Sequence, residues 1–194
     1  MPLGTFNIWH YLGKNDQGVS QYQKADGTNT TAPSSLDFTL AGNAQPKLLY
    51  GWNNTFKYGN FDLNFFLRGV YGNKILNATL ANLNNPAAAQ IRNVPKFTLG
   101  ESTKDFNAYF ISDRFLESGS YLRMDNASLG YSFSSASNTF KNLRVYVTGS
   151  NLFTITDYMG IDPEISLGGI EPGIDNRNFY PKTRSFLLGV NVSF

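Results

Sequence analysis

Cysteine is absent and histidine occurs once in the 194 residues, which leaves neither a disulfide framework nor the thiolate and imidazole ligands of a zinc site. Charge is scarce as well: Asp, Glu, Lys and Arg make up 15% of the chain, well short of a soluble domain, and the formal net charge is only +2. With no Lys/Arg cluster to concentrate it, that balance offers no footprint for nucleic acid or an anionic membrane surface, and nucleic acid is not expected as a partner. Mean hydropathy is −0.28. No run approaches the roughly 18 consecutive apolar residues of a membrane-spanning helix, which excludes a helical membrane protein. A transmembrane β-barrel is not excluded, because its strands need only about 9 to 11 residues, apolar at alternate positions. The N-terminus, Met1-Pro2-Leu3-Gly4-Thr5-Phe6, has no basic region, apolar core or small-residue cleavage site. The chain is therefore expected to be either cytoplasmic or a fragment whose export signal lies upstream.

What the sequence does contain suits strands and turns. Phe 16 and Tyr 11 lift the aromatic share to 15%, and Asn and Gly are frequent. From Leu48 to Tyr58 one face reads Leu48, Tyr50, Trp52, Asn54, Phe56, Tyr58 and the other Leu49, Gly51, Asn53, Thr55, Lys57. Gly59-Asn60 then makes a tight turn. The return strand sets Phe61, Leu63, Phe65, Leu67 against Asp62, Asn64, Phe66, Arg68. Residues 121–133 and 143–153 read as two more long strands joined by a short polar stretch, and 185–194 as a last strand with Phe186, Leu188, Val190, Val192 and Phe194 on one face. A weaker strand over residues 3–12 brings the expected total to about six.

The connections alternate strictly between tight and long. Those over 13–46, 73–119 and 154–184 lie far beyond the usual loop of a soluble domain. Short turns at one rim and long loops at the other are the pattern of an outer-membrane barrel, which would start and end at the periplasmic rim. About six strands cannot close such a barrel, the smallest having about eight, so the expected fold is an incomplete, all-β, antiparallel piece of a large transmembrane barrel with long extracellular loops. The lumen face would include Asn53, Lys57, Asp62, Asn64 and Arg68.

Certain stretches resemble a known family. Ser120-Tyr121-Leu122-Arg123-Met124-Asp125-Asn126-Ala127-Ser128-Leu129-Gly130-Tyr131 is similar to the penultimate-hairpin motif of the SusC/RagA family of TonB-linked outer-membrane proteins. Asn151-Leu152-Phe153-Thr154, followed by Tyr158, Gly160 and Asp162-Pro163-Glu164, is similar to that family's NLFT…Y-x-G-x-DPE signature. Gly42-Asn43-Ala44-Gln45-Pro46, Tyr50-Gly51-Trp52, Ser112-Asp113-Arg114-Phe115 and Tyr180-Pro181 match in the family's order. The resemblance implies a barrel of roughly 22 strands with a plug inside. It implies energisation by TonB and import of oligosaccharides or peptides captured with a SusD-like surface lipoprotein. Residues 1–194 would then be the C-terminal segment of the barrel, without signal peptide, TonB box or plug domain. Family members often carry an Asp-rich, calcium-loop-like stretch in the first long loop; only Lys24-Ala25-Asp26-Gly27 stands here, and no metal site is inferred.

Individual residues carry competing readings. Asp162 and Glu164 could serve acid/base chemistry or calcium, but Pro163 between them favours a structural turn. His10 has no ligand cluster or triad partner and reads as an incidental side chain near the membrane interface. Trp9, Tyr11, Tyr50, Trp52 and Tyr58 read as an aromatic girdle in preference to a sugar-stacking set. Tyr109, Phe110 and Phe179, in long loops, are candidate substrate contacts. Phe186, Leu188, Val190, Val192 and Phe194 read as the terminal signal for barrel assembly, or else as a final buried strand. No P-loop, HExxH or GxSxG pattern occurs, so no catalytic residue, cofactor or enzyme activity is assigned. The alternative to transport is a soluble all-β carbohydrate-binding or adhesion domain, in which the same alternation faces a protein core.

Overall fold

The computed structural model describes residues 1–100, 105–106, 110–134, 141–165, 171–176 and 180–193. Among them run twelve strands: β1 (Thr5–Trp9), β2 (Tyr11–Lys14), β3 (Ser20–Gln23), β4 (Asn29–Thr30), β5 (Phe38–Asn43), β6 (Leu48–Tyr58), β7 (Phe61–Tyr71), β8 (Lys74–Leu76), β9 (Leu116–Ser118), β10 (Tyr121–Ser134), β11 (Asn142–Thr156) and β12 (Ser185–Ser193). The chain divides into two compact units.

One unit comprises Leu48–Tyr71, Ser120–Thr156 and Pro181–Phe194, and its five strands form a single antiparallel sheet in the order β12-β11-β10-β7-β6. The β6–β7 turn follows from Gly59 at φ 55°, the positive value that a two-residue turn led by glycine requires. The register pairs Tyr58 with Phe61 and Leu48 with Tyr71, so the strands match along their whole length of 11 residues each, enough to cross a bilayer when tilted. Tyr58 and Phe61, Ser134 and Asn142, and Ser193 opposite Asn142 gather the short connections and the end of β12 at one rim.

Since side chains alternate, the register assigns every residue a face. Leu63 lies opposite both Phe56 and Leu129, Leu129 opposite Val147, and Val147 opposite Leu188, which makes an apolar band across all five strands. It stays exposed: Trp52 is 59%, Phe186 70% and Leu188 74% accessible. The other face runs Lys57, Asp62, Gly130, Tyr146 and Gly189 across the same strands. A soluble sandwich would have to bury the first face; a barrel wall turns it to lipid and the second to the lumen.

The other unit comprises Met1–Lys47, Gly72–Gly119 and Asp157–Tyr180. Its described residues form three small sheets, β1-β5, β2-β3-β4 and β8-β9, one short α-helix, α1 (Ala78–Leu83), and four short 3-10 helices. Phe6, Ile8, Ala44, Leu76, Ala81 and Phe115 form its core, and Ile75, Tyr158 and Ile165 a smaller cluster. The described parts of the long connections thus carry strands and a buried centre of their own.

This corrects the expectation for residues 3–12. That stretch does not supply a sixth wall strand: it splits at His10 into β1 and β2, and β1 pairs with β5. Five residues cannot span a bilayer, and Phe6 and Ile8 gain more by entering the core. Trp9 and Tyr11 accordingly leave the proposed girdle. Trp9 packs against Phe38 at 5.1 Å, and Arg114 stacks over Tyr11 at 5.0 Å. Tyr50, Trp52 and Tyr58 do share the apolar face of β6. Nor is His10 incidental: its Nδ1 lies 2.5 Å from Asp113 Oδ2, and Asp113 Oδ1 accepts the Tyr11 N–H at 2.8 Å.

Candidate functional site on the polar face of the sheet

The polar face is organised around two arginine–carboxylate pairs that join strands distant in sequence. Arg144 on β11 donates from Nε to Asp62 Oδ1 at 2.9 Å and from Nη2 to Asp62 Oδ2 at 2.5 Å, a bidentate fork from a strand two places away in the sheet. The close approach is possible because the intervening position is Gly130, where a Cβ would lie 2.5 Å from Arg144 Nη2.

Nearer the opposite rim, Arg68 Nε donates to Asp125 Oδ1 at 3.0 Å and Nη1 to the Tyr121 hydroxyl at 3.1 Å. Asp125 reaches Arg68 because it is the extra residue of β10 against β7, where Met124 pairs with Leu67 and Asn126 with Phe66. Met124 pairs with Phe153 and Asn126 with Ser150, leaving Asp125 opposed by both Asn151 and Leu152. Asn151 takes φ 52°, a left-handed conformation that asparagine tolerates better than most residues, and its Nδ2 donates to the Thr183 carbonyl at 3.0 Å. Smaller polar contacts fill the space between the pairs. Asn64 Nδ2 donates to Thr55 Oγ1 at 2.8 Å, and Thr148 Oγ1 to Ser128 Oγ at 2.9 Å.

The sequence motifs therefore fall into two places. Asn151 and Leu152 form the irregularity of β11 opposite Asp125, and Phe153 resumes regular pairing with Met124. Tyr158, Gly160, Asp162, Pro163 and Glu164 lie in the other unit, where they fold the segment after β11. Tyr158 donates its hydroxyl to Asp175 Oδ2, and burial, followed by that bond to Asp175, pushes the phenol well above its ordinary pKa. Gly160 must be glycine, since a Cβ would sit 2.3 Å from the Tyr158 ring. Asp162 Oδ1 accepts the Glu164 N–H at 2.9 Å, the turn expected of this tripeptide. Glu117, which the sequence did not single out, accepts the Met159 N–H at 2.6 Å and Asn77 Nδ2 at 2.8 Å, while Asn77 Oδ1 caps α1. Asp26 Oδ1 likewise closes a turn on Thr28 at 2.9 Å.

Of the candidate substrate contacts, Phe110 lies against Trp9 at 5.3 Å and Tyr22 at 6.1 Å, beside a cavity of about 360 Å³ edged by Ile8, Phe38 and Ile111. Tyr109 and Phe179 lie outside the described residues, as does Phe194 of the expected assembly signal. Phe186, Leu188, Val190 and Val192 share the apolar face of β12, a strand whose other edge has no partner among the described residues. No three His, Asp or Glu side chains converge in a metal-binding group among the described residues.

An exposed apolar band backed by a charged, hydrogen-bonded face defines the wall of an outer-membrane β-barrel. No protein-family profile matches the chain. It is 31% identical over its full length to TonB-dependent receptor P3 of Formosa agariphila, and 35% identical over 76% of its length to TonB-dependent receptor SusC of Bacteroides thetaiotaomicron. It spans 20% of the first relative and 15% of the second. The solved structure of the RagAB peptide transporter superposes on 98% of the chain with a TM-score of 0.81, at 24% identity and over 23% of that structure's chain. The chain belongs to the SusC/RagA family of TonB-dependent receptors, proteins of the outer membrane, and corresponds to a fragment of one.

Proposed function

We propose that residues 1–194 are the C-terminal segment of the barrel of a TonB-dependent importer that carries oligosaccharides or peptides across the outer membrane. The observation that carries this reading is the two-faced five-stranded sheet, whose lipid side is continuous from β6 to β12 and whose lumen side holds the Arg144–Asp62 and Arg68–Asp125 pairs. In this reading the remaining polypeptide supplies the other strands, the signal peptide, the plug and the TonB box, while a SusD-like surface lipoprotein captures the nutrient. The relatives are named receptors and a transporter, which supports transport in preference to catalysis, and the peptide transporter among them supports the peptide alternative. Phe186, Leu188, Val190, Val192 and Phe194 serve barrel assembly, and Tyr109, Phe110 and Phe179 are offered as substrate contacts. The test is nutrient uptake by cells lacking the receptor. Loss of uptake of one nutrient class, restored by the intact gene only when TonB is present, supports the reading; unchanged uptake of every oligosaccharide and peptide offered would sink it.

A further inference from the structure

Among the described residues, Lys57 is a cation of the polar face outside the Arg68–Asp125 and Arg144–Asp62 ion pairs. Lys57 lies directly opposite Asp62 in the β6–β7 register, yet both Asp62 oxygens accept from the Arg144 fork, and among the described residues no carboxylate forms an ion pair with the Lys57 ammonium. Around these groups opens a cavity of about 380 Å³ next to the tight-turn rim, bordered also by Thr55, Asn60 and Ser132. It holds two cations and one carboxylate. The Arg144 fork engages Asp62 through Nε and Nη2, so among the described residues the cavity presents an ammonium and the Nη1 edge of the guanidinium. A polar recess with one surplus positive charge and planar donors is complementary to a single carboxylate, which an arginine edge binds in its own plane.

We propose that this recess is a docking site for one aspartate or glutamate side chain, carried by receptor polypeptide that lies outside residues 1–194 and packs against the polar face. The inference rests on the barrel reading above. Lipid is excluded as the source, because phospholipid meets the opposite face. The length of polypeptide still to be placed favours a protein carboxylate over a free solute: the chain spans only 20% of a full-length relative, and large barrels of this kind have a filled lumen. Among the described lining residues two cations face one carboxylate, so one further carboxylate balances the recess, with Lys57 as its electrostatic partner and Arg144 bridging it and Asp62.

The experiment is zero-length carbodiimide cross-linking of the full-length receptor in outer-membrane preparations, followed by digestion and mass spectrometry. The expected product joins the Lys57 peptide to an Asp- or Glu-containing peptide of the same receptor outside these residues, and it disappears in Lys57→Met. A Lys57 cross-link to Asp62 alone, to a different protein, or no Lys57 cross-link while other lysines of the receptor react, would overturn the proposal. Heat-modifiable migration in the same samples reports the folded barrel independently, so failure of the docking site and failure of the barrel reading are told apart.

Discussion

Asn151 is the residue at which the sheet departs from regular pairing, and the departure has a use. A flat continuation of β10 would leave Asp125 in register with its neighbours; the bulge instead frees it to pair with Arg68. Replacing Asp125 with Ala and Arg68 with Met, singly and together, is expected to give a coupling energy of about 1 kcal/mol in a double-mutant cycle measured by unfolding from detergent, and a coupling near zero would show that the pair is merely adjacent. In the other unit, Tyr158→Phe removes the donor to Asp175 and is expected to cost about 1 to 2 kcal/mol. Hydrogen exchange of the Met159 and Gly160 amides reads that cost as faster local opening.

Asp37 supplies a pH test on the same scale. Its carboxylate accepts the Ser34 N–H at 2.8 Å, the Ala25 N–H at 3.1 Å and the Ser34 hydroxyl at 2.9 Å, and these bonds hold its pKa below the ordinary carboxylate value. A depressed folded pKa stabilises at pH above the unfolded value of about 4, and the contribution is lost as pH falls through the folded pKa. Exchange at the Ala25 and Ser34 amides, corrected for intrinsic rate, should therefore accelerate on acidification in the wild type. In Asp37→Asn it should no longer depend on that titration.

At the scale of the element, the two faces of β7 make opposite predictions for neighbouring residues. Phe65 sits edge-on to Trp52 at 5.7 Å and stacks with Phe56 at 6.1 Å on the apolar face, whereas Asn64 hydrogen-bonds Thr55 on the polar one. Leu63→Arg or Phe65→Arg should cost about 2 to 4 kcal/mol in folding into lipid, while Asn64→Arg should be tolerated. Equal sensitivity at both faces would refute the wall assignment. Gly69 is a backbone constraint within the same strand: a Cβ there would fall 2.3 Å from the Tyr121 carbonyl and from the Tyr50 ring, which covers the glycine and donates its hydroxyl to that carbonyl.

For the whole molecule, the decisive quantity is the apolar surface left facing outward, together with two edge strands, β6 and β12, whose outer ladders are unpaired among the described residues. Bilayers do not tolerate open edges, and water does not tolerate the apolar band. The 194-residue chain alone should be aggregated in plain buffer and β-rich and dispersed only in detergent, as read by circular dichroism and size exclusion. A cooperative monomer in plain buffer would return the soluble binding domain to first place.

Alternation of apolar and polar residues is a local property, and it was enough by itself to determine the faces of β6, β7, β11 and β12, the Gly59-Asn60 turn and the barrel class; ordered short motifs carried the family. The tertiary structure alone decided which strands meet. Residues 3–12 alternate as a wall strand would, but the choice between wall and core depends on whether Phe6 and Ile8 find Ala44, Leu76 and Phe115, residues distant in the chain. The same holds for the polar face. Asp62 and Arg144 are 82 positions apart and Arg68 and Asp125 57, so their pairing follows from sheet register and from one bulge, neither of which a period of two residues can encode.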